Sequence, residues 1–131
     1  MKNHLSSLFA LVIPLFLSAC SEQVSFSGEV MPILTGNCSE CHTGDGEGVE
    51  KSGFSVADYD QVMEGTNLGP VVVAGYSESS TLFRLISHQA DPQIQMPPHH
   101  PEALPEGRAL ALESNQIETI KDWIDQGAKN N

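Results

Sequence analysis

The sequence predicts an all-α domain of about four helices joined by long loops. Three observations carry that expectation. Apolar residues recur at helical spacing in four separate stretches. The one strand-like run, Gly69 to Val73, is short, alone and followed by Gly75, so it reads as extended loop. Five of the eight prolines fall between positions 91 and 107, where no regular helix can form. At 131 residues and 40% hydrophobic, the chain makes one domain with a modest core. Aromatic residues supply only 6%, so short helices around long loops need something large besides side chains in the middle.

Residues 1–19 are an address. Lys2 precedes a clean apolar run from Leu8 to Leu17, too short to span a bilayer and suited to a signal-peptide core. It runs into Leu17-Ser18-Ala19-Cys20, which resembles the bacterial lipobox: small residues precede the cleavage point, and Cys20 offers a thiol for diacylglycerol. The plainer alternative is an ordinary signal peptide with an incidental cysteine. The expected division is signal peptide over 1–19, lipidated Cys20 with a short tether over 20–24, and a folded domain over 25–131.

Within that domain Phe26, Val30, Ile33 and Leu34 share one face of a first helix. Pro32 sits awkwardly inside it and marks a kink or a break. Residues 43–53 are glycine-rich and charged, the composition of a loop. Ala57 to Glu64 predicts a short helix stopped by Gly65, with Phe54, Tyr59, Val62 and Met63 as anchors. Ser79 or Ser80 caps a helix carrying Leu82, Phe83, Leu85 and Ile86. Ser114 or Asn115 caps the last helix, which turns Ile117, Ile120 and Ile124 inward and closes at Gly127.

With Cys20 set aside, the remaining cysteines stand in Cys38-Ser39-Glu40-Cys41-His42. C-x-x-C-H is the attachment signature of c-type haem. The spacing suits the chemistry. Two thiols one turn apart add to the two vinyl groups, and the next residue holds an imidazole under the iron as proximal ligand. Three other uses of the pair are weaker. Thioredoxin-like chemistry wants a βαβ context, whereas the flank here is glycine-rich and acidic. Structural zinc needs two more spaced ligands, and His99 and His100 are adjacent. A plain disulfide would leave His42 accidental. Haem c also supplies the missing filler of the core, and Trp123 then packs against its edge or the first helix, with its indole available to a propionate.

A six-coordinate electron-transfer haem needs a second axial ligand far along the chain. Met96, in Gln95-Met96-Pro97-Pro98, sits in a proline-stiffened loop between two helices, and a thioether suits low-spin iron. The alternative is that Met96 packs as an apolar filler. His99 and His100 are rival ligands that more often stay solvated. Met31 and Met63 fall on helical apolar faces as core, and His88 at a helix end serves a capping or solvated role.

The mature chain resembles the planctomycete-type cytochrome c domain, a branch of the small class I cytochrome c fold. The resemblance rests on Phe26-x-x-x-Val30-x-Pro32-Ile33-Leu34, Cys38-x-x-Cys41-His42, Val73-x-Gly75-x-x-x-x-Ser80-x-Leu82, Met96-Pro97-Pro98, and Gln116-Ile117-x-x-Ile120-x-x-Trp123-Ile124-x-x-Gly127-Ala128. C-x-x-C-H is specific on its own; the other pieces persuade by their order. The resemblance spans residues 26–128 and implies a cytochrome c-like fold around one covalent haem, with His42 and Met96 axial. It also accounts for Pro32. Glu113 departs from it, standing where the family more often has Ser or Thr.

Charge narrows the function further. The chain carries −11, and loss of Lys2 with the signal peptide makes the exported chain more negative by a single charge. Nucleic acid is excluded, because phosphate is read with Lys and Arg clusters that are lacking here. No pair of acidic residues defines a catalytic pocket, so no small-molecule substrate is expected. The expected function is single-electron transfer between protein partners, the partner presenting a basic docking surface. The rivals are a sensor or peroxidase-like haem protein with a labile sixth ligand, and a haem-bearing accessory subunit. Ser21, rather than Asp, after Cys20 points to the outer membrane under the Gram-negative sorting rule, with the domain facing the periplasm. From Cys20 to Val24 about four extended residues reach at most ~14 Å, which confines the partner to the same membrane or to a soluble shuttle.

Overall fold

The computed structural model describes residues 22–98 and 111–131; the signal segment, Cys20, His99 and His100 lie outside them. Among the described residues, all regular structure is helical, apart from a β-bridge between Thr66 and Gly69. The expectation of an all-α chain agrees with this. No helix among the described residues is long and apolar enough to cross a membrane.

The first helix opens as a wide π-turn, Phe26–Val30, and tightens into α1, Met31–His42. Ser25 caps it by accepting from the Gly28 N–H at 3.0 Å. The Val30 and Met31 N–H groups reach back five residues, to the Ser25 and Phe26 carbonyls. Pro32 therefore falls in the first turn of α1, directly after the change of winding. Its missing donor sits where the helix switches register, so the helix changes pitch there instead of breaking.

Residues 43–53 depart from the expected loop: they contain α2, Glu47–Ser52. The flanking glycines cap the helix instead of dissolving it. Gly46 is extended at its start, and Gly53, at φ 78°, ends it by donating its N–H to the Val49 carbonyl. Glu47 and Glu50 lie in the first turn, and Lys51 pairs with Glu47 one turn on. The described residues thus hold five α-helices where about four were expected.

The short helix α3, Tyr59–Glu64, starts two residues later than expected because Asp58 caps it, accepting from the Gln61 N–H at 2.9 Å. A 3-10 turn, Ser77–Ser79, leads into α4, Thr81–Ile86. Ser80 occupies the N-cap position, but its hydroxyl serves the preceding loop, accepting from Val73 N–H at 2.8 Å and donating to the Tyr76 carbonyl at 2.9 Å. The last helix, α5, Ser114–Asp125, is capped by Glu113 and not by Ser114 or Asn115. The Gln116 side chain reaches back to accept from the Glu113 N–H at 3.0 Å, so Glu113 does the capping expected of a Ser or Thr there.

These helices share one core. Ile120, Trp123 and Ile124 of α5 are buried with Phe26, Val30 and Leu34 of the first helix and with Leu82, Phe83 and Ile86 of α4. The Phe26 ring lies 5.0 Å from Tyr59 edge-on and 5.3 Å from Trp123. Trp123 meets the first helix as expected, but its indole N–H is committed to the Lys129 carbonyl at 2.9 Å, so it is not available to a propionate. Hydrogen bonds also fasten the two ends of the domain. Phe26 N–H donates to Asn131 Oδ1 at 2.9 Å, Val24 N–H to Gln126 Oε1 at 2.8 Å, and Gln126 Nε2 to the Glu22 carbonyl at 3.4 Å.

Asp125 pins the loop before α4 to α5. Burial works against its charge, but donation from Lys121 at 2.7 Å, from the Ser77 N–H at 2.9 Å and from the Ser77 hydroxyl at 3.0 Å outweighs that and holds the carboxyl below its usual range. A carboxyl lowered in the folded state contributes stability above its unfolded pKa and loses it as pH falls through the folded one. Because the carboxyl is solvent-exposed and screened, Asp125→Asn should cost only about 0.5–1 kcal/mol at pH 7. The gap from wild type should narrow below the ordinary carboxylate range, measured by urea unfolding at pH 7 and pH 3.

Candidate functional site

The three residues of the C-x-x-C-H motif lie together on the last turns of α1. A helix repeats every 3.6 residues, so Cys38 and Cys41 share a face, and His42 follows at the C-terminus, where the chain leaves the helix. Both cysteines are free thiols and partly buried. Cys38 packs against the core, and burial, with Cys41 adding to it, pushes its thiol up to about 11. This bears on the uses the sequence left open. A redox-active or zinc-binding cysteine gains from a stabilised thiolate, and Cys38 is held neutral instead. A thioether sulfur carries no charge, so the same burial suits it.

His42 is held on two sides by the segment that follows α2. Its Nδ1 is 3.0 Å from the Phe54 carbonyl oxygen. A carbonyl only accepts, so Nδ1 carries the proton and Nε2 keeps its lone pair. The His42 carbonyl in turn accepts from Val56 N–H at 2.8 Å, and the Phe54 ring stands edge-on to the imidazole at 5.3 Å. An imidazole whose outer nitrogen donates to a carbonyl is fixed in tautomer and orientation and made a better metal ligand. The set of two free thiols and one oriented imidazole fits a covalently attached haem.

Helix α2 closes the third side. Gly48 lies so near the imidazole that a Cβ on it would stand 2.5 Å from His42 Cε1 and 2.7 Å from both ring nitrogens. A Cβ on Gly46 would run into the Cys41 carbonyl oxygen. The motif's turn therefore packs against a bare backbone. Sequence reasoning misses both Gly48 and the Phe54 carbonyl. The glycine spacing 44, 46, 48 is the available signal, and by composition alone it reads as flexibility. Gly48→Ala should displace the His42 ring and cost about 1–3 kcal/mol through overpacking. The check is thermal unfolding of the purified variant with its visible spectrum.

Met96 comes from a different stretch of the chain. It is partly buried and packs against the same core as Cys38, and its N–H donates to the Leu85 carbonyl at 3.2 Å, tying its loop to the end of α4. Met31 and Met63 pack as partly buried core residues, as expected. His88 follows α4 in a left-handed conformation, φ 60°. His99, His100 and Cys20 fall outside the described residues.

Residues 38–100 match the family model of planctomycete cytochrome C. The match takes in Cys38, Cys41, His42 and Met96. It begins after the first turns of α1 and ends before α5, so it is narrower than the sequence resemblance. No curated protein and no solved structure gives a significant match.

Proposed function

From the planctomycete-type cytochrome c domain that this chain carries over residues 38–100, we propose that the protein is a monohaem c-type cytochrome that passes single electrons between periplasmic or membrane redox partners. Cys38 and Cys41 form the thioether links, His42 binds iron through Nε2, and Met96 is the sixth ligand. The observation that carries this reading is the His42 Nδ1 contact to the Phe54 carbonyl, directly after two free thiols one turn apart. It fixes Nδ1 as the donor and leaves Nε2 as the ring nitrogen that could bind a metal. The bound haem supplies the one-electron couple. The chain's own residues would hold the imidazole, keep Cys38 in an apolar setting and supply the Met96 thioether.

Location and partner follow from the acidity and the leader. In this reading Cys20 carries the lipid and the domain faces the periplasm from the outer membrane. Side-chain hydrogen bonds already reach Glu22, which leaves about two residues, at most ~7 Å when extended, between anchor and fold. The partner lies in the same membrane or is a soluble shuttle, and it meets this strongly acidic chain with a basic surface.

Two measurements test this. The chain, expressed with haem-attachment machinery, should keep its haem through acid extraction and stain for peroxidase on a denaturing gel; colourless protein would overturn the reading. Ferric protein should show the weak near-infrared band of sulfur-ligated iron, and Met96→Ala should abolish it and open the site to carbon monoxide. A bis-histidine spectrum would move the sixth ligand to His99 or His100, and a high-spin one would favour the sensor or peroxidase-like function.

A further inference from the structure

The sixth ligand proposed above comes from a stretch with no helix or strand. Residues 87–95 run in turns from the end of α4 to Met96. Holding a thioether at iron from such a loop costs conformational entropy, and every contact that fixes the loop beforehand reduces that cost.

The contacts that fix this loop fall into separate groups. Asp91 closes its tip, its carbonyl accepting from the Ile94 N–H at 2.9 Å and its carboxylate from the Gln93 N–H at 2.9 Å. The Met96 N–H donates to the Leu85 carbonyl at 3.2 Å, a bond that any residue but proline could make. The remaining contact belongs to one side chain. Gln95 Nε2 donates to the Ala90 carbonyl at 2.9 Å and to the His88 carbonyl at 3.4 Å. A main chain that has left its helix needs donors for its carbonyls, and a primary amide carries two hydrogens to give. Gln95 is half-buried, whereas Asp91, Pro92, Gln93 and Ile94 are exposed. Its amide thus joins the returning end of the loop to the outgoing end, one residue before the sulfur.

We propose that Gln95 is the positioning residue of the sixth ligand, its amide holding the loop closed so that the Met96 thioether meets iron without further ordering. The inference rests on the cytochrome reading with Met96 axial, and deepens it by assigning what keeps that ligand in place. Without the amide the thioether can still bind, but the loop spends more of its time open and a competing ligand displaces the sulfur more easily.

The test uses the purified ferric holoprotein. It reads the near-infrared band of sulfur-ligated iron and the binding of imidazole, which competes with the thioether. Gln95→Leu, similar in size and without donors, should raise the apparent affinity for imidazole about five- to tenfold, the worth of one neutral hydrogen bond. Its near-infrared band should fade at a lower temperature than that of wild type. Gln95→Glu at pH 7 keeps the shape but sets acceptors against the carbonyls, so it should do the same at least as strongly, and it carries the test if Gln95→Leu does not accumulate. Gln93→Leu, an exposed change in the same loop, should leave both readings at wild-type values. A contact that served stability alone would lower the unfolding midpoint and leave imidazole binding unmoved. Unchanged imidazole affinity in the Gln95 variants therefore overturns the proposal and leaves the cytochrome reading intact. A wild type with covalent haem but without the sulfur band overturns the Met96 assignment and this proposal with it, and a chain without haem overturns all three.

Discussion

The bond from His42 Nδ1 to the Phe54 carbonyl sets what the surrounding chain must do. An imidazole at a helix C-terminus is free to rotate and to hold its proton on either nitrogen. Presenting one lone pair outward requires a fixed acceptor for the other nitrogen, and that acceptor has to be brought back from residues further along. Helix α2 is the means. It leaves His42 by a short turn, passes Gly48 across the ring and ends at the left-handed Gly53. Phe54 then arrives with its carbonyl facing Nδ1, and Val56 closes onto the His42 carbonyl. A side chain at Gly48 would fill the space the ring needs, so the bare backbone there belongs to the site.

The same constraint accounts for the division of the core. Trp123, Phe26 and Tyr59 pack where the first helix crosses α5, and the polar ends of Trp123 and Tyr59 close onto the main chain at Ala128 and Lys129. That half of the molecule is satisfied by its own side chains and backbone. The stretch of α1 that carries Cys38 and His42 has no aromatic partner except Phe54 among the described residues, and its residues stay only partly buried. An apolar, plate-like group held at the cysteines would complete the burial there. This is the physical sense of the low aromatic content.

Much of this was legible in the sequence because it depended on local chemistry. The apolar face of α1, the short helix at Tyr59, the inward isoleucines of α5 and the C-x-x-C-H triplet all follow from spacing between neighbours. What escaped depended on which partner each group takes once the chain has folded. The Ser80 hydroxyl looks like a helix cap until the loop at Val73 claims it. The Trp123 indole looks free until the chain turns back at Lys129. Glu113 looks like a defect in the cap until Gln116 folds onto it. Helix α2 is hidden because glycine and charge are the mark of a loop, and only the close approach to Cys41 and His42 shows that the glycines are required for contact. The wide turn before Pro32 is hidden for a related reason: proline forbids an interior position but does not say how the preceding turn accommodates it.

The first helix also links the two ends of the proposed function. Its N-terminal end is bound to Gln126 and Asn131, close to where the lipid at Cys20 is proposed to enter the membrane. Its C-terminal end is His42. The five residues of the π-turn and the twelve of α1 rise roughly 20–25 Å at 1.5 Å per residue. If Cys20 carries a lipid as proposed, the first helix would set the separation between the anchored end and His42. In that reading an electron partner would approach the end of the domain that carries His42. The surface it meets there includes Glu40, Asp45, Glu47 and Glu50 around the end of α1 and along α2. These four exposed carboxylates lie on the segments next to His42, where the proposed basic partner would find its acidic complement.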